Sequence, residues 1–300
     1  MLLEHLVAEF EFHCKARELS RNTIINYMRQ ISYLQKFVKD EHNVVMLEDV
    51  KPMHIKQFLV MKQQAGAKPA YINDLLKAFK CMFRYAWEEG YTETLITEKI
   101  KNVKQPKVLI RSFSKKEIRD MIAYYNRNNY LDMRNRVILM MFFDTGIRLN
   151  ELTSLQLEQV KDGYLLIHGK GNKERVVPKS PLLAKWLFKY FAMRTSYFEY
   201  KSVPDYVFLS KTGKRMNAEA TNALIRKASV AVGVDPSVRA SPHTCRHTFA
   251  HMQLQNGLDL YSLSRLMGHE NIAITQRYLD GIRNDEVLIA AKKTGVLANL

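Results

Sequence analysis

The sequence predicts a mainly α-helical protein carrying one small β-hairpin: an N-terminal helical bundle followed by a larger α+β domain. Three observations predict it. Residues 1–98 carry four apolar stripes at helical spacing. The segment Gly169-Lys170-Gly171-Asn172-Lys173 is a Gly/Asn-rich tip between two short runs of strand character. Between these regions, KIKNVKQPKVLIRSF (99–113) has no clear period and repeats lysine around Pro106. The expected organisation is a helical domain over 1–98, a basic linker over 99–113, and a second domain over 114–300 whose tail begins near residue 280.

The helices follow in order. Leu2, Leu3, Leu6, Val7 and Phe10 form the first stripe. Ser20 is placed to cap a second helix, with Ile24, Tyr27, Met28, Ile31, Leu34 and Val38 on one face. Pro52 suits the first turn of a third, with Ile55, Phe58 and Leu59 inward. Pro69 opens a fourth, carrying Ile72, Leu75, Leu76, Phe79, Met82 and Phe83 and ending near Gly90. Ser114 and Glu117 make a capping-box pair. A strongly apolar helix (136–143) then reaches a turn at Thr145-Gly146, and another helix starts near Asn150. Tyr164–His168 and Glu174–Pro178 are the hairpin strands. Beyond Pro181 the chain reads as mainly helical, with a short strand expected at Tyr206–Leu209.

Composition narrows the function. The 300 residues carry 46 Lys+Arg against 30 Asp+Glu, a net charge of +16, and the first 105 residues hold 16 and 13 of these, so most of the excess falls later. Polyanions are the leading partners. An apolar fraction of 47% supports a proper core. Three cysteines without CxxC spacing argue against a disulfide scaffold or a Cys-rich zinc module. The acidic residues in MLLEHLVAEFEFHCK make a poor signal peptide, and no apolar run approaches a membrane span. A basic cytoplasmic protein without a membrane partner is expected.

Several catalytic patterns fail. Asp144-Thr145-Gly146 has the aspartic-protease tripeptide, but it ends a helical run and has no second copy with which to share a proton. His243, His247 and His251 are helically spaced, yet HExxH is absent and Pro242 puts His243 at a helix start, so no metal is expected. No GxxxxGK[ST] loop is present.

A dispersed set survives: Arg148 after the glycine turn, Lys170 at the hairpin tip, His243 and Arg246 in Pro242-His243-Thr244-Cys245-Arg246, His269 after Gly268, and Tyr278. Together these fit attack on a phosphodiester. Two guanidiniums suit the charge that gathers on the non-bridging oxygens, because they are planar, bidentate and permanently protonated. They supply fixed electrostatic stabilisation without a metal or ATP. A tyrosine hydroxyl is a weak nucleophile until its proton is accepted, a role open to His243. A lysine on the hairpin can protonate the leaving 5′ oxygen, with Lys173 a rival to Lys170. His269 can donate a hydrogen bond to the phosphate. Glu151, three residues after Arg148, either orients that arginine or is an ordinary exposed carboxylate.

In TGIRLNEL, GKGNKER, HTCRHTFA and LMGHENIAITQRY, and in their order, the chain resembles the tyrosine recombinases of the phage-integrase superfamily, with the layout of short bacterial Xer-type enzymes and mobile-element integrases. SRNTIINY in the first helices resembles the family's core-binding domain. The resemblance implies Arg148, Lys170, His243, Arg246 and His269 around the nucleophile Tyr278. It implies a clamp on double-stranded DNA and a homotetramer joining paired recombination sites, with the tail after about residue 280 docked into a neighbouring protomer. Lys104, Lys107 and Arg111 of the linker and Lys173 and Arg175 of the hairpin are the expected DNA contacts. One departure is visible: Cys245 stands where the family carries a larger aliphatic residue, and it reads as a buried small hydrophobe that alters packing while sparing the chemistry, with a thiol pKa lowered by basic neighbours the lesser alternative.

Two other readings compete. A type IB topoisomerase shares the chemistry but religates the same strand. A non-catalytic regulator would use the helix–glycine–helix rhythm of LYSLSRLMGHENIAITQRYL to read DNA, but leaves Arg148, Lys170, His243 and Arg246 without a role. The DNA site, the choice between dimer resolution and element mobility, and any need for a partner recombinase or DNA-bending factor are not encoded legibly.

Overall fold

The computed structural model describes residues 1–106, 111–169, 174–269 and 271–276. The chain divides into two compact units, Met1–Lys107 and Val108–Leu300. No helix among the described residues is long and apolar enough to cross a membrane.

The first unit holds α1 (Leu3–Ala16), α2 (Arg21–His42), α3 (Pro52–Gln64) and α4 (Pro69–Glu88). Three of the four start as their sequence dictates: Ser20 Oγ accepts the Thr23 N–H at 3.2 Å, and Pro52 and Pro69 occupy first turns where no N–H is needed. The stripes close on one core of Leu6, Phe10, Ile31, Leu34, Ile55, Phe58, Leu75 and Phe79. The segment expected as linker begins inside this unit. Ile100 is buried in the core, and Asn73 pairs with both backbone groups of Val103 at 2.8 and 2.9 Å.

The second unit begins equally early, since Phe113 is buried in its core and donates its N–H to Thr248 Oγ1. It runs α5 (Lys115–Tyr124), α6 (Tyr130–Thr145), α7 (Leu149–Ser154), β1 (Tyr164–His168), β2 (Glu174–Pro178), α8 (Pro181–Tyr197), α9 (Ala218–Ala231), α10 (Pro242–Gln255), α11 (Leu260–Met267) and α12 (Ile272–Gln276). The Ser114–Glu117 capping box forms with both bonds in place. Helix α6 is longer than its apolar run and lies at the centre, with Val137, Ile138, Leu139, Met141 and Phe142 all buried. The strands pair antiparallel, Leu166 opposite Val176.

The strand expected at Tyr206–Leu209 does not form. Val207, Phe208 and Leu209 are buried, but the backbone bends at 207 and 208, and the segment makes only isolated bridges, Gln156 with Tyr206 and Leu209 with Arg215. Three of its four carbonyls go to side chains: Arg194 donates to Tyr206 O, Tyr190 to Val207 O, and Tyr130 and Arg134 to Leu209 O, while Phe208 O takes the Met216 N–H. The apolar run is real, but burial against helices satisfies it without a ladder.

Candidate active site

Four elements of the second unit converge. Helix α6 ends at Gly146, whose φ is +59°, and the ring of Phe249 fills the space a Cβ would need there. Asp144 accepts the Ser180 N–H that starts α8, so the protease-like tripeptide is a helix end with structural partners. Two residues beyond the turn, Arg148 caps α7. Its backbone N–H and Nη1 donate to the two oxygens of Glu151, at 2.8 and 2.9 Å, and its Nη2 donates to the Gly268 carbonyl at 2.7 Å. Glu151 is buried, which resolves its two readings in favour of the orienting partner.

Helix α10 brings Arg246, which is 5% exposed. Its Nη1 donates to the Gly146 carbonyl, and its Nη2 donates to the Met267 carbonyl at 2.6 Å and lies 3.0 Å from His269 Nε2. A guanidinium can only donate, so Nε2 is the acceptor and Nδ1 carries the imidazole proton. That proton faces Thr275 Oγ1 at 2.8 Å. The expected phosphate donor is therefore, in this arrangement, a support for Arg246. Partial burial, then the charges of Arg246, Arg148 and Arg175, lower the His269 pKa to about 4. His243 sits one helical turn before Arg246 and is exposed; partial desolvation, then Arg246 and Arg239, also lower its pKa, so it stays neutral and basic at neutral pH.

Arg175 departs from the expected DNA contact. Its side chain is 10% exposed, and its fork meets both Glu151 oxygens at 2.8 and 2.7 Å while Nε donates to the Leu266 carbonyl at 3.0 Å. The signal was in the strand period: Arg175 shares a face with Val177, which is buried. Burial pushes the Glu151 carboxyl up, but the bonds and charge of Arg175, then those of Arg148, outweigh it and hold the pKa at about 2. Among the described residues, three guanidiniums thus surround one carboxylate and a neutral histidine, leaving an excess of positive charge suited to an anion.

Cys245 is fully buried in the core, and burial raises its thiol pKa. This agrees with the reading as a buried small hydrophobe and rules out the lesser alternative: desolvation of the thiolate outweighs the basic neighbours. Arg111 donates to Ser237 Oγ at 3.0 Å, with Asp235 at 3.6 Å, and stays 65% exposed; Lys104 is exposed. Lys107, Lys170, Lys173, Tyr278 and the tail lie outside the described residues, and α12 ends at Gln276.

Residues 111–283 match the phage integrase family, and residues 7–90 match the phage integrase N-terminal SAM-like domain. The chain is 30% identical over 269 residues to the tyrosine recombinase XerC of Lactobacillus delbrueckii subsp. bulgaricus, covering 87% of this chain and 89% of that protein. It is 28% identical over 292 residues to the tyrosine recombinase XerD of Lacticaseibacillus casei, covering 96% and 98%. Its fold is similar to that of a lambda integrase dimer bound to a COC′ core site, with a TM-score of 0.75, 18% identity and coverage of 95% and 97%. It is also similar to XerH site-specific recombinase bound to palindromic difH substrate, with a TM-score of 0.74, 20% identity and coverage of 95% and 84%. By matched length, relatives and fold, the chain belongs to the phage integrase family, that of the tyrosine recombinases.

Proposed function

We propose that this recombinase cleaves and rejoins double-stranded DNA at paired sites through a 3′-phosphotyrosyl intermediate, with Tyr278 as nucleophile. The observation that carries the proposal is the convergence of Arg148 and Arg246 on the Met267–Gly268 turn, directly before His269 and ten residues before Tyr278. The Tyr278 hydroxyl oxygen bonds to the scissile phosphorus, and the bond to the 5′ oxygen breaks. The phenolic proton passes to His243. The 5′ oxygen takes a proton from Lys170, with Lys173 the alternative, and leaves as a hydroxyl. The two arginines stabilise the charge on the non-bridging oxygens. Attack by a 5′ hydroxyl of the partner duplex reverses the step, so the phosphodiester energy is conserved without metal or ATP.

The N-terminal bundle serves as the core-binding domain, with Lys104, Lys107 and Arg111 along the backbone. Four protomers act on two duplexes, the tail exchanged between them, in the integration or excision of a mobile element or in Xer-like dimer resolution. DNA-bound relatives support this reading. Nicked suicide duplexes tiled across DNA flanking the gene test it. Wild type should leave a covalent protein–DNA adduct on a denaturing gel, and Tyr278→Phe should bind the same duplex without one. A duplex bound tightly and specifically but never joined to protein would overturn the chemistry.

A further inference from the structure

Arg175 does more than pair with a carboxylate. It leaves strand β2 one residue after its start, in the arm that returns from the hairpin tip. Its fork closes on Glu151, the residue that holds both the backbone and the guanidinium of Arg148. Its Nε bonds to Leu266 O near the end of α11. Its stem also fills the space beside Gly268, where an added Cβ would lie 2.9 Å from Arg175 Cδ. Three elements with no chain continuity between them, β2, α7 and the α11 turn, therefore meet on one planar cation. A lysine could supply the charge, but its three donors sit on one nitrogen and cannot span both partners as a planar fork does.

We infer that Arg175 is a positioning residue, a clamp that fixes Arg148, through Glu151, relative to the Gly268–His269 turn. The inference rests on the proposed strand-cleavage reading for its kinetic consequence, though not for its geometry. Arg175 touches no reacting atom in this scheme; it acts through Glu151 and the turn.

Two measurements on the full-length chain test it. The first needs no DNA: proton NMR titration of the histidines, with His269 assigned from His269→Gln. Arg175→Met should raise the His269 midpoint by a few tenths of a pH unit, because the weakest of three neighbouring cations is removed, while Arg226→Met, on an exposed turn of α9, leaves it unmoved. Arg175→Lys keeps the charge but loses the fork, so it should still move the midpoint, by way of the loosened Arg148. The second is single-turnover cleavage of the nicked duplex at saturating protein. Arg175→Met and Arg175→Lys should both lose roughly 10²-fold with site binding retained. Combining Arg175→Met with Glu151→Gln should cost no more than the worse single change, since both break one linkage. An unmoved His269 midpoint, a lysine variant that cleaves normally, or losses that multiply would each overturn the clamp. If wild type forms no adduct while the midpoint still shifts, the clamp stands and the cleavage reading fails.

Discussion

Arg148 and Arg246 end on neighbouring carbonyls of one turn: Arg148 Nη2 donates to Gly268 O at 2.7 Å and Arg246 Nη2 to Met267 O at 2.6 Å. The two arginines come from different helices, yet the turn that follows α11 aims both. Each guanidinium has bonds on other edges as well, to Glu151 for one and to Gly146 O for the other. Such bracing pre-sets the cations before any anion arrives, which is where electrostatic catalysis draws its advantage.

The first prediction follows from that bracing. Arg148→Lys and Arg246→Lys keep the charge but lose the planar fork, so neither can hold its carbonyl and a phosphate oxygen together. Each should lower single-turnover cleavage by about 10²–10³-fold, equivalent to about 3–4 kcal/mol of transition-state stabilisation, with little change in site affinity. Gel-shift and adduct assays on the same duplex separate the two effects.

Much of this was legible in the sequence. Period and caps placed α1 to α4, because Ser20, Pro52 and Pro69 act locally and the stripes face one core. Arg148, Arg246 and His269 are legible as a set because two arginines and a histidine together suit one phosphodiester, though each alone is ordinary. Arg175 reads as a DNA-contacting cation by charge, but strand alternation puts it on the face of buried Val177. The roles of the Met267 and Gly268 carbonyls, and of Thr275, were invisible, since backbone acceptors and a single hydroxyl leave no pattern before the chain is folded. The Tyr206–Leu209 strand failed for a related reason: an apolar run reports burial, not the neighbour that provides it.

Gly146 should be intolerant of a side chain. Its positive φ costs an alanine about 1–2 kcal/mol, and the Phe249 ring stands where the methyl would go. Its carbonyl also receives Arg246. Gly146→Ala should lose about 2–4 kcal/mol in urea unfolding. Gly233→Ala, at φ +67° with open space around it, should lose only the backbone share.

Cys245 should be inert in the native chain. It is buried among core side chains with its thiol pKa raised, so iodoacetamide should label it only after denaturation, as peptide mass spectrometry would read. Cys245→Val changes little volume and should cost less than about 1.5 kcal/mol, with cleavage retained. Labelling of native Cys245 at a rate matching an exposed thiol would contradict the packing.

The lowered pKa of His269 makes stability depend on pH with a defined sign. Folded, the imidazole titrates near 4; unfolded, near its ordinary 6.5. Between those values the unfolded chain holds a proton that the folded chain refuses, so stability is lost as pH falls from about 6.5 toward 4 and is fully expressed above 6.5. The share belonging to His269 should be about 1–2 kcal/mol between pH 7 and pH 5. His54 and His243 also have lowered pKa values and slope the same way, so the measurement is a difference. Urea unfolding of wild type and His269→Gln at both pH values isolates it, with the smaller pH dependence expected in the variant. Equal slopes would mean that the imidazole accepts its proton as readily in the folded site as in water, and would overturn the lowered pKa that partial burial and the charge of Arg246, 3.0 Å away, account for.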